Sequence, residues 1–281
     1  MSHSIHLVLA LFAFAANSFF CRYALADGSI DPGSFTFIRL VSGAVTLAII
    51  LRLRRQLNVA FVRDKLSWWS GIALFGYAIC FSFAYTQLST GTGALILFGM
   101  VQLTLVTFHV LSGNRLSWLE LSGIGIAISG FSLLMLPSAQ TPSLTAALLM
   151  VLAGICWAVF TLLGRKTGEA SVAITHGFVL ASFLAVVVSP YLFSGESLSW
   201  SGIIWAMLSG IFASGFGYIL WYQVVKRISV LQASVAQLAV PVMAFVAGDF
   251  GLGESVTFTA VLSSLLVLGG IALTFVAKEK N

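Results

Sequence analysis

Apolar runs of about 20 residues recur along the whole chain, and their length is what most restricts its fold. A helix of that length crosses the roughly 30 Å hydrocarbon core of a bilayer, and it satisfies its own backbone polar groups where no water is present. We predict ten spans, namely Ile5–Leu25, Ser34–Leu53, Ser67–Leu88, Gly91–Ser112, Ser117–Leu136, Ser143–Gly164, Ser171–Phe193, Trp200–Val225, Val230–Ala247 and Thr257–Ala277.

The composition excludes a soluble protein. Hydrophobic residues make up 59% of the chain and charged residues only 8%, whereas about a quarter of the residues of a soluble domain are charged. The net charge of +5 does not indicate nucleic-acid binding, because the basic residues are scattered over short loops. Cys21, Cys80 and Cys156 lie inside apolar runs and are interpreted as small core residues. The first run is too long for a signal-peptide core, and we interpret it as a retained helix.

The distribution of charge predicts how the chain is oriented. With ten crossings, both termini and every even-numbered connection lie on the same side of the membrane. Twelve basic residues fall on that side: Arg52, Arg54, Arg55, Arg63, Lys65, Arg115, Arg165, Lys166, Lys226, Arg227, Lys278 and Lys280. By the positive-inside rule, we expect a multi-pass protein of the cytoplasmic (inner) membrane with both termini in the cytoplasm.

The two halves of the chain match each other at an offset of 140 positions. The offset aligns the pairs Ser89 and Ser229, Gly113 and Gly253, Ser117 and Thr257, Trp118 and Phe258, and Gly130 and Gly270. A half with five helices reverses the direction of the next half, so the two repeats are inverted, as in many transporters. The predicted fold is therefore all-α integral membrane, with ten transmembrane helices in two inverted five-helix repeats, residues 1–138 and 139–281.

Several segments resemble the ten-helix EamA-type permeases of the drug/metabolite transporter superfamily. They are Pro32 followed by FTFIRLVSGAVTLAIILRLRR, then GNRLSWLELSGIGIAISGFSLL, CWAVFTLLGRK, and YQVVKRISVLQASVAQLAVPVMAFVAGDFGLGES. The resemblance extends over essentially the whole chain. It implies a permease with two five-helix repeats of the EamA type.

Five polar or aromatic residues near the middle of predicted spans, with Tyr218 one or two turns further in, are the candidates for a substrate-binding cavity. Aromatic walls with a few amides suit an amphipathic metabolite that is neutral or zwitterionic. The alternative is that the amides form hydrogen bonds between helices and that the aromatic residues pack or face lipid. The candidates are Asn17, Tyr77, Gln102, Trp157, Tyr218 and Gln237.

Other residues suggest more specific roles. Arg39 lies within the second span, where a charge is costly; it either pairs with Asp27 or Asp31 or captures a substrate carboxylate. His109 and His176 are possible proton sites, because histidine titrates near neutral pH. Hinges are predicted at Gly215, Gly217 and Pro241, since proline removes a helical hydrogen bond.

We therefore expect a secondary or facilitative transporter that exports small metabolites, such as amino acids or their analogues, by alternating access. Catalytic and metal-binding motifs are absent from the sequence, so no enzyme activity, metal or cofactor is expected. The expected partners are a small-molecule substrate and the lipid bilayer, without nucleic acid, and the expected state is a monomer or weak homodimer. Two alternatives are an intramembrane enzyme acting on lipid and a membrane scaffold or assembly protein.

Overall fold

A computed structural model describes residues 3–55, 64–111, 113, 116–134, 142–165, 169–192, 198–225 and 236–279. The helices are α1 (His3–Ala26), α2 (Pro32–Leu53), α3 (Lys65–Tyr85), α4 (Thr90–Leu111), α5 (Trp118–Leu134), α6 (Leu144–Arg165), α7 (Ala170–Leu192), α8 (Trp200–Leu208), a π-helical segment (Ser209–Phe216), α9 (Gly217–Val225), α10 (Ala239–Leu252) and α11 (Phe258–Glu279). Among the described residues, seven helices are long and apolar enough to cross a membrane, with α8, the π segment and α9 forming one of them. The all-helical membrane fold is confirmed, and the count of ten spans stays a prediction.

Short polar side chains begin several of these helices. Asp31 accepts a hydrogen bond from the backbone N–H of Ser34, and Pro32 occupies the first turn of α2, where its missing N–H costs nothing. At α5, Ser117 Oγ accepts from the N–H of Glu120 while the Glu120 carboxylate accepts from the N–H of Ser117. This reciprocal pair is a capping box.

The break between α3 and α4 covers residues 86–89, slightly earlier than the break between the predicted spans Ser67–Leu88 and Gly91–Ser112. Gly91 and Gly93 both lie inside α4. A β-carbon at Gly91 would overlap the ring of Phe245, and one at Gly93 would overlap the ring of Tyr85. These glycines therefore permit close packing rather than a turn.

Helices from the two halves of the chain interleave. α1 packs against the π segment, α9 and α10, α2 packs against α7 and the π segment, and α3 packs against α6 and α7. Large apolar residues such as Phe12 and Trp69 are exposed on the outside of the bundle, as expected for surfaces that face lipid. The bundle interior is thus formed jointly by the two halves.

The α5–α11 contact has a reciprocal geometry. A β-carbon at Gly130 would lie 2.8 Å from the backbone nitrogen of Val267, and one at Gly270 would lie 2.6 Å from that of Ala127. Each helix thus contributes a glycine that faces the backbone of the other. Such small residues let two membrane helices approach closely.

Candidate functional site

Asn17 is the polar centre of the bundle interior. Its Nδ2 donates to the hydroxyl of Tyr77 at 3.1 Å, and its Oδ1 accepts from Ser209 Oγ at 2.6 Å. All three side chains are buried. The two hydrogen bonds therefore tie α1 to α3 and to the π segment.

Aromatic rings surround this amide. The ring centre of Trp157 lies 5.0 Å from that of Tyr77, 4.7 Å from that of Tyr218 and 5.9 Å from that of Phe14. Edge-on and tilted contacts at these distances are favourable between aromatic side chains. The rings come from α1, α3, α6 and α9, so they join both halves of the chain.

These residues enclose a small central chamber. It is lined by Phe14, Asn17, Ser18, Tyr77, Phe81, Leu97, Phe98, Trp157 and Tyr218. The space that the centre of a water molecule can occupy is only about 10 Å³, which is enough for one water. In this conformation the chamber is too small for a metabolite, which fits only if the residues around it move apart.

Arg39 lies against the chamber wall, and its side chain is fully buried. Its Nε donates to Ser214 Oγ and its Nη2 donates to the Tyr218 hydroxyl, each at 3.3 Å. The guanidinium carbon also lies 5.0 Å from the ring centres of Tyr77 and Phe81, within the range of a cation–π interaction. The guanidinium is therefore held by hydroxyls and ring faces.

The two acidic residues considered as partners of Arg39 are bonded elsewhere. Asp31 accepts from the N–H of Ser34 at the start of α2, and Asp27 accepts from the N–H of Ser29. Within the described residues, the ion pair formed is that of Arg22 with Glu254.

The structure brings together four of the six cavity candidates, Asn17, Tyr77, Trp157 and Tyr218. Gln102 on α4 is fully buried and Gln237 is 5% exposed. In the described part of the chain, neither lines the chamber. Their place in a substrate site stays a prediction.

His176 lies in a second pocket, at the end of the bundle where α3 and α7 begin. This pocket has a volume of about 260 Å³ and is also lined by Asp64, Ser67 and Glu169. The Ser67 hydroxyl, followed by the N–H groups of Leu66 and Ser67, donates to Asp64 and lowers the pKa of its carboxyl. His109 is on α4 and its side chain falls outside the described residues.

The predicted hinges fall at irregular backbone. Gly215 lies within the π segment and Gly217 is the first residue of α9. Pro241 lies in the first turn of α10, just after a turn at Leu238 that separates this helix from residues 236–237. The helical hydrogen-bond pattern thus changes at both places.

A third pocket, of about 590 Å³, opens at the other end of the bundle. Arg22 and Glu254 lie in its wall, together with Gln87, Ser89, Thr92 and Thr257. The walls come from the ends of α1, α3, α10 and the starts of α4 and α11. The His176 pocket and this pocket thus lie at opposite ends of the bundle, with the small chamber between them.

The sequence did not indicate Ser209 and Ser214, which bond Asn17 and Arg39. Both lie in the π segment, whose wider turns place the two serines toward α1 and α2; such segments often occur at functional sites. A β-carbon at Gly210 would lie 2.4 Å from the carbonyl oxygen of Arg39, so this glycine allows α2 to approach. The small-residue run SGIFASG is the sequence signal that could have indicated this contact, because small residues let helices approach closely.

Metal binding has no support in the described residues. They contain no group of three or more His, Cys, Asp and Glu side chains placed to hold an ion.

Comparison with known proteins identifies the chain's relatives. The model of the EamA-like transporter family matches residues 2–136 and again residues 144–276. An uncharacterized protein of Pseudomonas aeruginosa is 44% identical over 267 residues, covering 95% of this chain and 92% of that protein. An uncharacterized transporter of Bacillus subtilis is 25% identical, covering 96% and 93%.

Two further likenesses are more distant. A probable terminal-alkyne amino-acid exporter of Streptantibioticus cattleyicolor is 24% identical over 259 residues, covering 84% of this chain and 81% of that protein. A crystal structure of another protein superposes with a TM-score of 0.67 at 19% identity, covering 95% of this chain and 97% of that one. The latter likeness concerns the fold alone.

Proposed function

Because this multi-pass membrane protein belongs to the EamA-like transporter family, we propose that it exports small metabolites by alternating access through the central chamber. The observation that carries this mechanism is the position of the chamber. Its walls come from α1, α3 and α4 of the first half and from α6 and α9 of the second. A relative movement of the halves opens the chamber to one side or the other, as in transporters built from inverted repeats.

Equivalent positions in the two halves have similar geometry, which supports the inverted repeats. Gly113 and Gly253, 140 positions apart, both have positive φ angles, of 90° and 63°. Ser117 and Thr257, at the same offset, cap α5 and α11 through the N–H groups of Glu120 and Ala260. The reciprocal contacts of Gly130 with Val267 and of Gly270 with Ala127 follow the same spacing, as a two-fold axis requires.

The proposed topology has ten spans, repeats 1–138 and 139–281, and both termini in the cytoplasm of an inner-membrane protein. With this orientation the His176 pocket opens to the cytoplasm and the Arg22–Glu254 pocket to the outside. The distribution of basic residues supports this orientation. We propose a monomer or weak homodimer, because the chamber is formed within one chain.

Amino acids or their analogues are the proposed substrates. The chamber combines aromatic rings with the Asn17 amide and with hydroxyls, a lining suited to a small amphipathic molecule. The amino-acid exporter among the relatives supports the same class. The chamber's volume of about 10 Å³ is consistent with a conformation that holds no substrate.

The test is uptake into proteoliposomes of purified protein, offered labelled amino acids and nucleosides in pools, with and without a pH gradient. Trp157→Ala removes a chamber wall, whereas Trp118→Ala removes a tryptophan that is 86% exposed. Loss of this contact area should lower uptake at least about tenfold, while the Trp118 variant transports normally.

The outcomes separate the functions considered. Saturable uptake without a gradient, lost in the Trp157 variant alone, supports a facilitative carrier with its site in the chamber. Uptake that needs a gradient directs the next substitutions to His109 and His176. Folded protein that transports no member of any pool would refute the metabolite proposal and favour a scaffold or lipid-modifying role.

A further inference from the structure

Arg39 is a buried charge that forms no ion pair among the described residues. Its hydrogen bonds go to the neutral hydroxyls of Ser214 and Tyr218, and its Nη1 has no hydrogen-bond partner there. A guanidinium stays protonated in proteins and has five N–H donors. Burying it is costly unless charge and donors are both satisfied. The structure therefore contains an unused cationic donor group in its interior.

Three acidic side chains are engaged with other groups. Asp31 caps α2, Asp27 bonds Ser29, and Glu254 pairs with Arg22. Among the described residues, no carboxylate bonds or pairs with Arg39. An anion from outside the chain is therefore a candidate for the opposite charge.

Arg39 lies immediately behind the chamber wall. Tyr77 and Phe81 present their ring faces to the guanidinium, and Tyr218 accepts its hydrogen bond. All three also line the chamber. A small rotation of these side chains, as the chamber expands, would bring the unpaired Nη1 to a bound molecule.

We infer that Arg39 binds the carboxylate of the transported molecule, so that the substrates are amphipathic compounds with an apolar body and one carboxylate. The apolar body packs against Phe14, Trp157 and Phe98, while the planar guanidinium donates two parallel hydrogen bonds to the carboxylate. This inference rests on the proposed transport function and specifies its substrate class. It also explains why a serine and a tyrosine, rather than an acid, hold Arg39: the two hydroxyls orient the guanidinium without neutralising its charge.

The experiment compares molecules that differ only in the carboxylate. Proteoliposomes with wild-type protein are offered labelled L-phenylalanine and L-leucine and, separately, their carboxamides. We expect wild-type uptake of the acids to exceed that of the amides about 10- to 100-fold, as for loss of a charged hydrogen bond. Equal uptake of acids and amides by wild-type protein would overturn the inference without any variant.

Variants then assign the preference to Arg39. Arg39→Gln should lower uptake of the acids to the level of the amides and leave the amides unchanged. Arg39→Lys keeps the charge but loses the pair of parallel N–H donors, so its uptake of the acids should lie between that of the wild type and that of Arg39→Gln. Arg54→Gln, directly after the last residue of α2, where Arg54 is exposed, is the control and should keep the wild-type preference.

Failures of the two proposals look different. Uptake of nucleosides or amides without a preference for acids refutes the role of Arg39 and leaves transport standing. An equal loss of acid and amide uptake in Arg39→Gln, in protein with wild-type thermal stability, shows a structural role and also refutes it. If Arg39→Gln does not fold, the comparison of acids with amides in wild-type protein and in Arg39→Lys decides.

Discussion

Arg22 on α1 and Glu254 in the α10–α11 connection form an ion pair across the two halves of the chain, with 3.0 Å between Nε and Oε1. Arg22 Nη1 also donates to the carbonyl oxygens of Tyr85 and Thr86 at the end of α3. Glu254 Oε2 accepts from the N–H of Thr90, where α4 begins. One pair of side chains thus joins four segments at the end of the bundle that we propose to be the outer one.

Removing the charge of Arg22 or of Glu254 should weaken this link between the four segments and lower the stability of the fold. The side chains are 21% and 16% exposed, so we expect Glu254→Gln to lower the free energy of unfolding by about 1 kcal/mol. Thermal unfolding in nanodiscs measures the loss, and Arg22→Gln with the double variant completes a double-mutant cycle. Strictly additive effects would show that the two side chains do not act as a pair.

The buried hydrogen bond from Ser209 to Asn17 should contribute more to stability and transport than the hydrogen bonds of exposed serines. Ser209→Ala leaves the Asn17 carbonyl oxygen buried without this donor, at a cost of about 1–3 kcal/mol. Ser201 is exposed about two turns before the π segment, and Ser201→Ala is the matched control. Melting temperatures and uptake rates that are the same in both variants would contradict the role of the Asn17 centre.

The close α5–α11 contact predicts a position-specific effect of alanine. Gly130→Ala and Gly270→Ala each place a methyl group within 3 Å of the opposite backbone, and overpacking of this kind costs about 1–3 kcal/mol. Gly125 and Gly269, on the same two helices, have open space at the β-carbon position. Alanine there should be neutral or stabilising in thermal unfolding, and destabilisation equal to that at Gly130 and Gly270 would exclude the contact as the cause.

The Asp64 carboxylate should stabilise the folded protein by an amount that depends on pH. Hydrogen bonds from Ser67 and two N–H groups lower the pKa of its carboxyl in the folded protein from the ordinary 3.8. The contribution is therefore complete above about pH 4 and is lost as the pH falls through the lowered pKa, where the carboxyl is protonated. Asp64→Ala should lower the melting temperature at neutral pH and Asp64→Asn, still a capping residue, by less; a difference between wild type and Asp64→Ala that persists unchanged at the lowest pH would contradict this account.

Depth in the membrane was readable from the sequence, and it led to part of the site. Asn17, Tyr77 and Trp157 were chosen because they lie near the middle of their spans, and they are in contact in the structure. Gln102 and Gln237 met the same criterion and do not line the chamber within the described residues. Position along a helix is one coordinate, and the direction in which a side chain points is another.

The direction in which a side chain points is difficult to read from the sequence of a membrane helix. A helix in lipid carries apolar residues both toward its neighbours and toward the hydrocarbon, so no polar face marks the outside. Phe178 is fully buried and Phe212 is 55% exposed, although both are phenylalanines in apolar spans. Serine is equally ambiguous, since Ser182 bonds its own helix at Phe178 while Ser209 reaches across to Asn17.

The sequence by itself determined the membrane class, the helical fold and the family resemblance, because lipid leaves an apolar run of about 20 residues few alternatives to a helix. It also identified Arg39 as a charge within a membrane span, where a buried charge is energetically unfavourable. Only the tertiary structure decided that Ser214 and the rings of Tyr77 and Phe81 surround that charge. It also decided that Ser209 bonds Asn17 and that Arg22 pairs with Glu254. These depend on how each helix is rotated and how closely its neighbours approach, which are set by contacts between residues 60 to more than 200 positions apart.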